Sequence, residues 1–249
     1  MDYSDVQNIS DPMQLDELSL KGDVLTRINI AANTNIYEVT LLRLLADENE
    51  QVRFIAVQNP KITKKQLEYV LKREQAYIVL VKIIENQLTD SNMLETIINT
   101  DNILLLEAIS KKENLSRLII DRFLNDDNIT IKKLIVSNPN LTEQDMLNLI
   151  NKKNSKNGIL DELSTNPNIT IKVIRRLNEY KNIFIKIQLA KNPKTPLDIL
   201  VQLSDSQFID VRLPLVTNKS TPTSLVRKLL NDRNATIRQL AKERLNRQD

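Results

Sequence analysis

Apolar residues recur along the chain at helical spacing, in short stretches separated by polar turns. Between residues 51 and 58, Val52, Ile55 and Ala56 fall on one face of a helix. A second stretch follows after a few polar residues, and its apolar stripe consists of Leu67, Val70 and Leu71. The pattern predicts two short helices joined by a tight turn.

A few residues specify the turn between these two helices. Asn59-Pro60 ends the first helix, because proline cannot continue a helix and biases the residue before it away from helical dihedral angles. Thr63 is predicted to cap the second helix, with Gln66 at capping-box spacing.

The same unit recurs along most of the sequence. An asparagine that matches Asn59 marks each copy, and the period is about 26 residues. The copies are at Asn33, Asn59, Asn86, Asn138, Asn166, Asn192 and Asn218, with one degenerate copy near Lys112.

The clearest copy is residues 189–196. There Asn192-Pro193 is predicted to end one helix, and Thr195-Pro196 to form the cap and first turn of the next. Thr221-Pro222 is predicted to act in the same way. We interpret this recurring stretch as structural, so that binding specificity would lie in the residues that differ between copies.

Two regions depart from the unit. Between residues 74 and 125 the motif decays while the apolar spacing persists, which indicates either sequence drift or a bend or partner site. Residues 151–158 form a longer polar connection that ends in Asn-Gly, and we predict a surface loop there.

The repeats predict an all-α fold. We expect a right-handed α-solenoid, a superhelix of about eight ~26-residue helix-turn-helix repeats, as one domain over residues 1–249. Residues 1–22 are predicted to form an N-terminal capping half-repeat and residues 235–249 a C-terminal capping helix.

The pattern of Val-Arg, a short gap, Asn-Pro-x-Thr-Pro and spaced leucines resembles the leucine-rich repeat variant family and the wider HEAT-like group of α-solenoids. Val52-Arg53 with Asn59-Pro60, and Val211-Arg212 with Thr221-Pro222, carry the resemblance best, and it covers roughly residues 11–245. It implies stacked helix pairs whose first segment is either α-helical or 3₁₀. Some variant-repeat proteins carry an N-terminal cysteine cluster, which this chain lacks.

The amino-acid composition excludes several kinds of catalytic and binding site. The chain contains no cysteine, no histidine and only two glycines, Gly22 and Gly158. Thiolate nucleophiles, imidazole bases, Cys/His zinc sites and glycine-rich phosphate loops are therefore excluded. We expect a protein that is not an enzyme and that uses no cofactor.

The longest apolar run is Ala76-Tyr77-Ile78-Val79-Leu80-Val81, far short of the ~20 residues that a membrane span needs. The acidic start of the sequence does not resemble a signal peptide. We expect no membrane association and a cytoplasmic location.

Charge is distributed unevenly. Residues 1–125 carry 14 Lys/Arg and 19 Asp/Glu, a net charge of −5, whereas residues 126–249 carry 21 and 13, a net charge of +8. A basic half is a weak indication of an acidic partner, nucleic acid included.

A column of basic residues stands six positions before the asparagine column, often preceded by an acid. The basic residues are Arg27, Arg53, Lys132, Lys186, Arg212 and Arg238, and the acids are Asp47, Asp126, Asp205 and Asp232. One interpretation is a stripe that follows a phosphate backbone. The interpretation we favour is a structural ladder, in which each acid near a helix start pairs with the basic residue of its own or the next repeat.

Basic residues outside this column are the better binding candidates, because they lie partly off the apolar stripe and we assign them no acidic partner. They are Lys172, Arg175, Arg176, Arg227 and Lys228, a predicted surface for an anionic partner. Neighbouring carboxylates at Asp126-Asp127, at Asp161-Glu162 and at Glu48 with Glu50 fall in turns, where they are expected to cap helices rather than to bind a metal.

The main functional hypothesis is a non-catalytic interaction scaffold that binds a protein partner. The alternative is binding of a DNA backbone through the basic second half. A regulatory subunit of an enzyme is a third hypothesis that the sequence does not separate from the first. It also leaves the oligomeric state undetermined.

Overall fold

The structure, a computed structural model, describes residue 6, residues 8–151 and residues 158–247. Throughout this part of the chain the regular elements are α-helices, and they alternate with short turns. The predicted all-α repeat fold is confirmed. The first segment of each described repeat is an α-helix, which decides between the α and 3₁₀ alternatives.

Each repeat contributes a first helix that ends at the asparagine column and a second helix that follows it. The first helices are α2 (Val24–Ala32), α4 (Glu50–Ala56), α6 (Tyr77–Glu85), α8 (Ile103–Ser110), α10 (Ile129–Val136), α12 (Ile159–Leu163), α14 (Ile183–Lys191), α16 (Ile209–Thr217) and α18 (Ala235–Asn246). The second helices are α1 (Pro12–Lys21), α3 (Glu38–Leu45), α5 (Lys64–Leu71), α7 (Ser91–Glu95), α9 (Arg117–Leu124), α11 (Glu143–Asn151), α13 (Ile171–Asn178), α15 (Leu197–Ser204) and α17 (Thr223–Leu229).

The chain forms two compact units, Met1–Asp126 and Asp127–Asp249. In the first unit α2 packs on α4, α4 on α6 and α6 on α8, so that the first helices make one layer. In the second unit α10, α12, α14, α16 and α18 pack in the same order. The single domain, the capping roles of residues 1–22 and 235–249, and the right-handed sense stay predictions.

The apolar stripes form the core, as the helical spacing predicts. Val52 and Ala56 of α4 are buried, and Ile55 between them is half-buried. Leu67 and Val70 are buried on the facing side of α5. Each helix is too short to be stable alone, so its stability comes from this packing.

Helix starts follow the sequence closely in α5. The Thr63 hydroxyl accepts a hydrogen bond from the Gln66 amide N at 3.3 Å, and the Gln66 side chain accepts one from the Thr63 amide N at 2.8 Å. The predicted capping box is confirmed.

The prediction for α15 and α17 is wrong by one residue. Pro196 and Pro222, not the threonines before them, occupy the cap positions, and neither cap makes a side-chain hydrogen bond. Both prolines are extended, with ψ of 150° at Pro196 and 154° at Pro222, so each helix begins at the residue after the proline. The buried Thr195 hydroxyl instead donates to the Leu189 carbonyl at 2.6 Å, which ties the turn to the preceding helix.

The asparagine column joins successive repeats. The Asn59 side-chain amide donates to the carbonyl oxygens of Ala31 at 2.8 Å and Asn33 at 3.0 Å, both in the preceding repeat. Asn166 and Asn218 bind the equivalent carbonyls at the same two distances. These carbonyls stand at helix ends, where no intrahelical donor remains for them.

The asparagine side chain also shapes its own turn. In all seven copies its Oδ1 accepts a hydrogen bond from the backbone N two residues later, at 2.7–2.9 Å. This is an Asx turn, and it needs an acceptor, whereas the bonds to the preceding repeat need a donor. A short amide side chain meets both needs.

Two basic residues replace asparagine in the column. Lys112 Nζ donates to the Asn86 carbonyl at 2.8 Å, 26 residues earlier. Arg244 Nη1 donates to the carbonyls of Val216 at 2.7 Å and Asn218 at 2.8 Å. The degenerate unit near Lys112 has therefore kept the bond between repeats, although it has lost the motif.

Asp11 and Gly158 each stand directly before a helix. Asp11 caps α1 by accepting from the Met13 amide N at 3.0 Å. Gly158 adopts a positive φ of 79° directly before α12, a conformation that glycine reaches without strain. The predicted surface loop before Gly158 lies outside the described residues.

Candidate functional site

Three arginines of the basic column are bound inside the protein. Arg27 pairs with Asp47 at 2.7 Å, and Arg212 pairs with Asp232 at 2.7 Å. Arg53 pairs with a carboxylate that the sequence analysis did not single out, that of Glu74, at 2.7 Å. All three contacts are bidentate and their partners are mostly buried, so these guanidinium groups are already occupied.

The six-residue spacing between acid and base does not come from the ion pair between their side chains that we expected. Arg53 donates to the backbone carbonyl of Asp47 at 2.7 Å, and Arg238 donates to that of Asp232 at 2.7 Å. The carboxylate of Asp47 reaches back to the arginine 20 residues earlier. Arg27, Arg53 and Arg212 therefore each bridge the turn before their own helix and the end of the following second helix.

The other two acids pair outside the column. Asp126 binds Arg122 one helical turn before it, and Asp205 binds Lys228 at 2.6 Å rather than Arg212. Arg212 instead donates a hydrogen bond to the Ser206 carbonyl, at 2.8 Å.

In the described part of the second unit, the two lysines of the basic column make no ion pair. Within the described residues no carboxylate lies at ion-pair distance from Lys132, which is 7% exposed, or from Lys186. Lys186 Nζ donates to the side chain of Asn178 at 2.6 Å, and burial lowers the pKa of this ammonium group.

The predicted surface for an anionic partner is largely neutralised. Lys172 lies 3.6 Å from Glu143, Arg176 2.7 Å from Glu179, and Lys228 pairs with Asp205. The inference that these residues lack acidic partners is wrong.

The remaining two members of that surface differ. Arg175 binds Asp198 of the next second helix at 2.5 Å. The two residues stand 23 positions apart in neighbouring repeats, so no pattern within one helix could show this contact. Arg227 is exposed and makes no ion pair within the described part of the chain. A single exposed arginine does not make a binding surface.

Carboxylates do not gather into a metal site in the part of the chain that the structure describes, where no group of three or more ligand residues lies together. Asp161, from one of the carboxylate pairs noted in the sequence, accepts a hydrogen bond from the Asn182 side chain at 2.7 Å. Among the described helices, none is long and apolar enough to span a bilayer.

The strongest candidate site is an apolar groove in the first unit. It has a volume of about 530 Å³ and lies across the exposed faces of α4, α6 and α8. Its apolar lining consists of Phe54, Tyr77, Ile78, Val81, Leu104 and Ala108. We call this feature the α4–α8 groove.

Three of the apolar side chains that line the groove are about half exposed. Tyr77 is 54% exposed, Ile78 47% and Leu104 57%. The opposite, inner face of α6 is also apolar, and its residues Val79 and Ile83 are buried. This helix therefore carries apolar residues on both sides. A helix that is apolar all round is normally covered on all sides, which leaves the outer face of α6 without a partner.

The lining of the groove also carries charged side chains, and these make ion pairs or hydrogen bonds within the protein. Lys82 pairs with Glu85 and Lys111 with Glu107, each at 2.7 Å, so these charges cancel. Lys112, a further lysine of the lining, donates to the Asn86 carbonyl at 2.8 Å.

The sequence carries a signal for this groove that did not enter the prediction. The apolar run from residue 76 to residue 81 is longer than one helical face can bury, yet we used it only to exclude a membrane span. Pairs of exposed apolar residues also open several first helices, eight and nine positions before the asparagine column. They are Val24-Leu25, Tyr77-Ile78, Ile103-Leu104 and Ile183-Phe184.

The fold defines the class of protein: an all-helical repeat protein with paired short helices. A solved structure described as a leucine-rich repeat variant with a novel repetitive protein structural motif matches it with a TM-score of 0.57 and 12% sequence identity. The match covers 95% of this chain and 88% of that one. The fold-level resemblance to leucine-rich repeat variants is thereby confirmed. No family model and no curated protein matches the chain.

Proposed function

We propose that this protein is a non-catalytic scaffold that binds a protein partner in the α4–α8 groove. The observation that carries the proposal is the outer face of α6, where Tyr77 and Ile78 are exposed beside Leu104 of the next first helix. Exposed apolar patches on soluble proteins mark binding surfaces, since their burial against a partner removes them from water.

The position of the groove supports this assignment. It lies across the repeats whose sequence decays between residues 74 and 125, the region for which drift and a partner site were the open alternatives. Lys112 keeps the bond between repeats in that region, so the array is preserved there.

Site-specific photo-crosslinking tests the proposal. A photoreactive phenylalanine at Leu104 is expected to give discrete protein adducts in cell extract. The matched control is the same residue at Leu118, which is 54% exposed on the second helix α9. Adducts that are no more abundant at position 104 than at position 118 would argue against the groove as the binding site.

Binding of a DNA backbone is the weaker alternative. Its support is the net charge of +8 over residues 126–249, but Arg175, Arg176 and Lys228 are each held in an ion pair with a carboxylate. Nuclease treatment in the crosslinking experiment separates the two functions. Adducts that survive nuclease support protein binding, and adducts that disappear support the alternative.

A further inference from the structure

The turn between α15 and α16 carries a serine where three corresponding turns carry an acid. Each of these acids follows a second helix and pairs with the column arginine 20 or 21 residues before it, in the pairs Arg27–Asp47, Arg53–Glu74 and Arg212–Asp232. The residue 20 positions after the column residue Lys186 is Ser206. The acid position of this repeat therefore holds a hydroxyl group.

Hydrogen bonding shows that Ser206 occupies the acid position. Its Oγ accepts a hydrogen bond from the backbone N of Phe208, two residues later, at 3.3 Å. Asp47, Glu74 and Asp232 each accept the same bond with a carboxylate oxygen, at 2.8–2.9 Å. The serine hydroxyl therefore makes the turn bond of the carboxylates without their negative charge.

Two arginines bind the backbone of this serine. Arg212 and Arg233 both donate to the Ser206 carbonyl oxygen, each at 2.8 Å. Arg212 is occupied by Asp232, whereas Arg233 is exposed and has no carboxylate at ion-pair distance within the described residues. One guanidinium group without an acid therefore stands beside the serine.

Lys186 is a further cation of this contact between repeats. Its Nζ donates to the side-chain oxygen of Asn178 at 2.6 Å, and in the described chain no carboxylate lies at ion-pair distance from it. The lysine is half-buried, so salt screens its charge less than that of an exposed lysine.

The acids near the turn do not balance these two cations. Asp205, next to Ser206 in the chain, pairs with Lys228 at 2.6 Å, and the carboxylate of Asp232 is already paired. Asp210, four residues after Ser206 on α16, makes no ion pair within the described residues. A negative group at the serine itself would complete the pattern of the other turns.

Phosphoserine has the reach that this position needs. Its phosphate oxygens are separated from Cα by as many bonds as the carboxylate oxygens of glutamate, and Glu74 shows that the acid position accepts a side chain of that length. A phosphate group also carries a charge of about −1.5 to −2 at pH 7 and three acceptor oxygens, so it can bind two cations at once.

We propose that Ser206 is a phosphorylation site and that its phosphate group binds Arg233 and Lys186. A protein kinase transfers the γ-phosphoryl group of a nucleoside triphosphate: the Ser206 Oγ forms a bond to the γ-phosphorus, the nucleoside diphosphate leaves, and the hydroxyl proton is released. The modification joins α14 to the turn before α16 and stabilises this contact between repeats. It lies in the second unit, so it does not depend on the α4–α8 groove.

Phosphoserine incorporated at position 206 of the full-length protein tests the binding of the phosphate. We expect Ser206→phosphoserine to raise the urea midpoint of unfolding above that of the unmodified protein. The phosphate pKa, followed by ³¹P NMR, should fall at least half a unit below its ordinary value of about 6, because bound cations favour the dianion. Either an unshifted pKa or an unchanged midpoint would overturn the proposal.

Variants of the two cations show whether they are the partners. Lys186→Gln with Arg233→Gln should abolish both effects of the phosphate. Lys191→Gln with Lys242→Gln, exposed lysines of α14 and α18, removes the same charge and should preserve both effects. Equal losses in the two pairs of variants would show general attraction and contradict the proposal.

A glutamate at the same position provides a second test that needs no modification. Ser206→Glu should raise the urea midpoint relative to the neutral Ser206→Gln. The difference should disappear when Lys186 and Arg233 are both replaced by glutamine. A glutamate variant that is no more stable than the glutamine variant would refute the acid position.

Mass spectrometry of the protein purified from its own cells tests whether the site is used. Trypsin releases residues 195–212 as one peptide, which also contains the buried Ser204 as an internal control. We expect phosphate on Ser206 and none on Ser204. Absence of phosphate from Ser206 in both growing and starved cells would overturn the modification. If inorganic phosphate then stabilises the unmodified protein, the position binds a free anion instead.

Discussion

At the scale of single residues, the asparagine column is the feature that distinguishes this array from generic helix pairs. One side chain supplies an acceptor for its own turn and donors for the preceding repeat. Carbonyl groups buried between repeats need such donors, because an unsatisfied buried acceptor costs about 1–3 kcal/mol.

Asn218→Ala is expected to lower the free energy of unfolding by about 2 kcal/mol or more, because it removes donors from two carbonyls. The measurement is urea denaturation followed by circular dichroism. Asn192→Ala is the matched control, since Asn192 makes the turn bond but no bond to the preceding repeat within the described residues. Equal losses in the two variants would contradict the role of the bonds between repeats.

The Arg212–Asp232 pair predicts a pH dependence of stability. Hydrogen bonding from Arg212 lowers the pKa of Asp232 below its ordinary value, and both side chains are only 4% exposed. A depressed folded-state pKa adds stability that is fully present above the unfolded pKa of about 3.9 and is lost as pH falls through the folded-state value.

Asp232→Asn should therefore reduce the free energy of unfolding by roughly 3 kcal/mol at pH 7. The difference from the unmodified protein should shrink below about pH 4, as Asp232 becomes protonated in the unmodified protein. Urea denaturation between pH 7 and pH 2 measures it, with the exposed Asp210→Asn as a control. A difference that stays constant over this range would refute the linkage.

At the scale of helices, caps and turns decide where each element begins. Thr63 and Gln66 form a reciprocal capping box, whereas Pro196 and Pro222 start their helices by backbone preference alone. Helices of seven to nine residues have few internal hydrogen bonds, so each terminal bond is a large share of the total.

Thr63→Ala should lower the free energy of unfolding by about 1 kcal/mol, since it leaves the Gln66 amide N without its acceptor. Thr63→Ser keeps the hydroxyl and should restore most of that loss. Thermal or urea denaturation of the pair measures the cap. If Ser and Ala behave alike, the hydroxyl is not the stabilising group.

At the scale of the whole molecule, stability and binding are assigned to different surfaces. The bonds between repeats and the buried stripes hold neighbouring repeats together, as in other arrays whose repeats contact only their neighbours. The outer faces of the first helices in the first unit contribute little to this packing, because Ile78 and Leu104 remain about half exposed.

Ile78→Ser with Leu104→Ser should therefore leave the free energy of unfolding unchanged to within about 0.5 kcal/mol per site. The same variant should be retained less on a hydrophobic-interaction column. Urea denaturation and column retention together distinguish a surface kept for binding from one kept for stability. A marked loss of stability would show that the groove residues belong to the core.

The helical repeats and most of the core followed from the sequence, because helical spacing and turn residues are local properties. Val52, Leu67 and the Thr63 capping box are examples. The starts of α15 and α17 were displaced by one residue, since Pro196 and Pro222 themselves adopt extended dihedral angles and occupy the cap positions that the threonines were predicted to fill.

Only the tertiary structure decided which side chains meet across repeats. Arg175 and Asp198 stand 23 residues apart, and the partners of Arg27 and Arg212 stand 20 residues away. The sequence determined the repeat, its period and its local turns, because these depend on neighbours within a few residues. Ion pairing between repeats and the open apolar face of α6 depend on how helices stack, which brings together residues that the chain keeps apart.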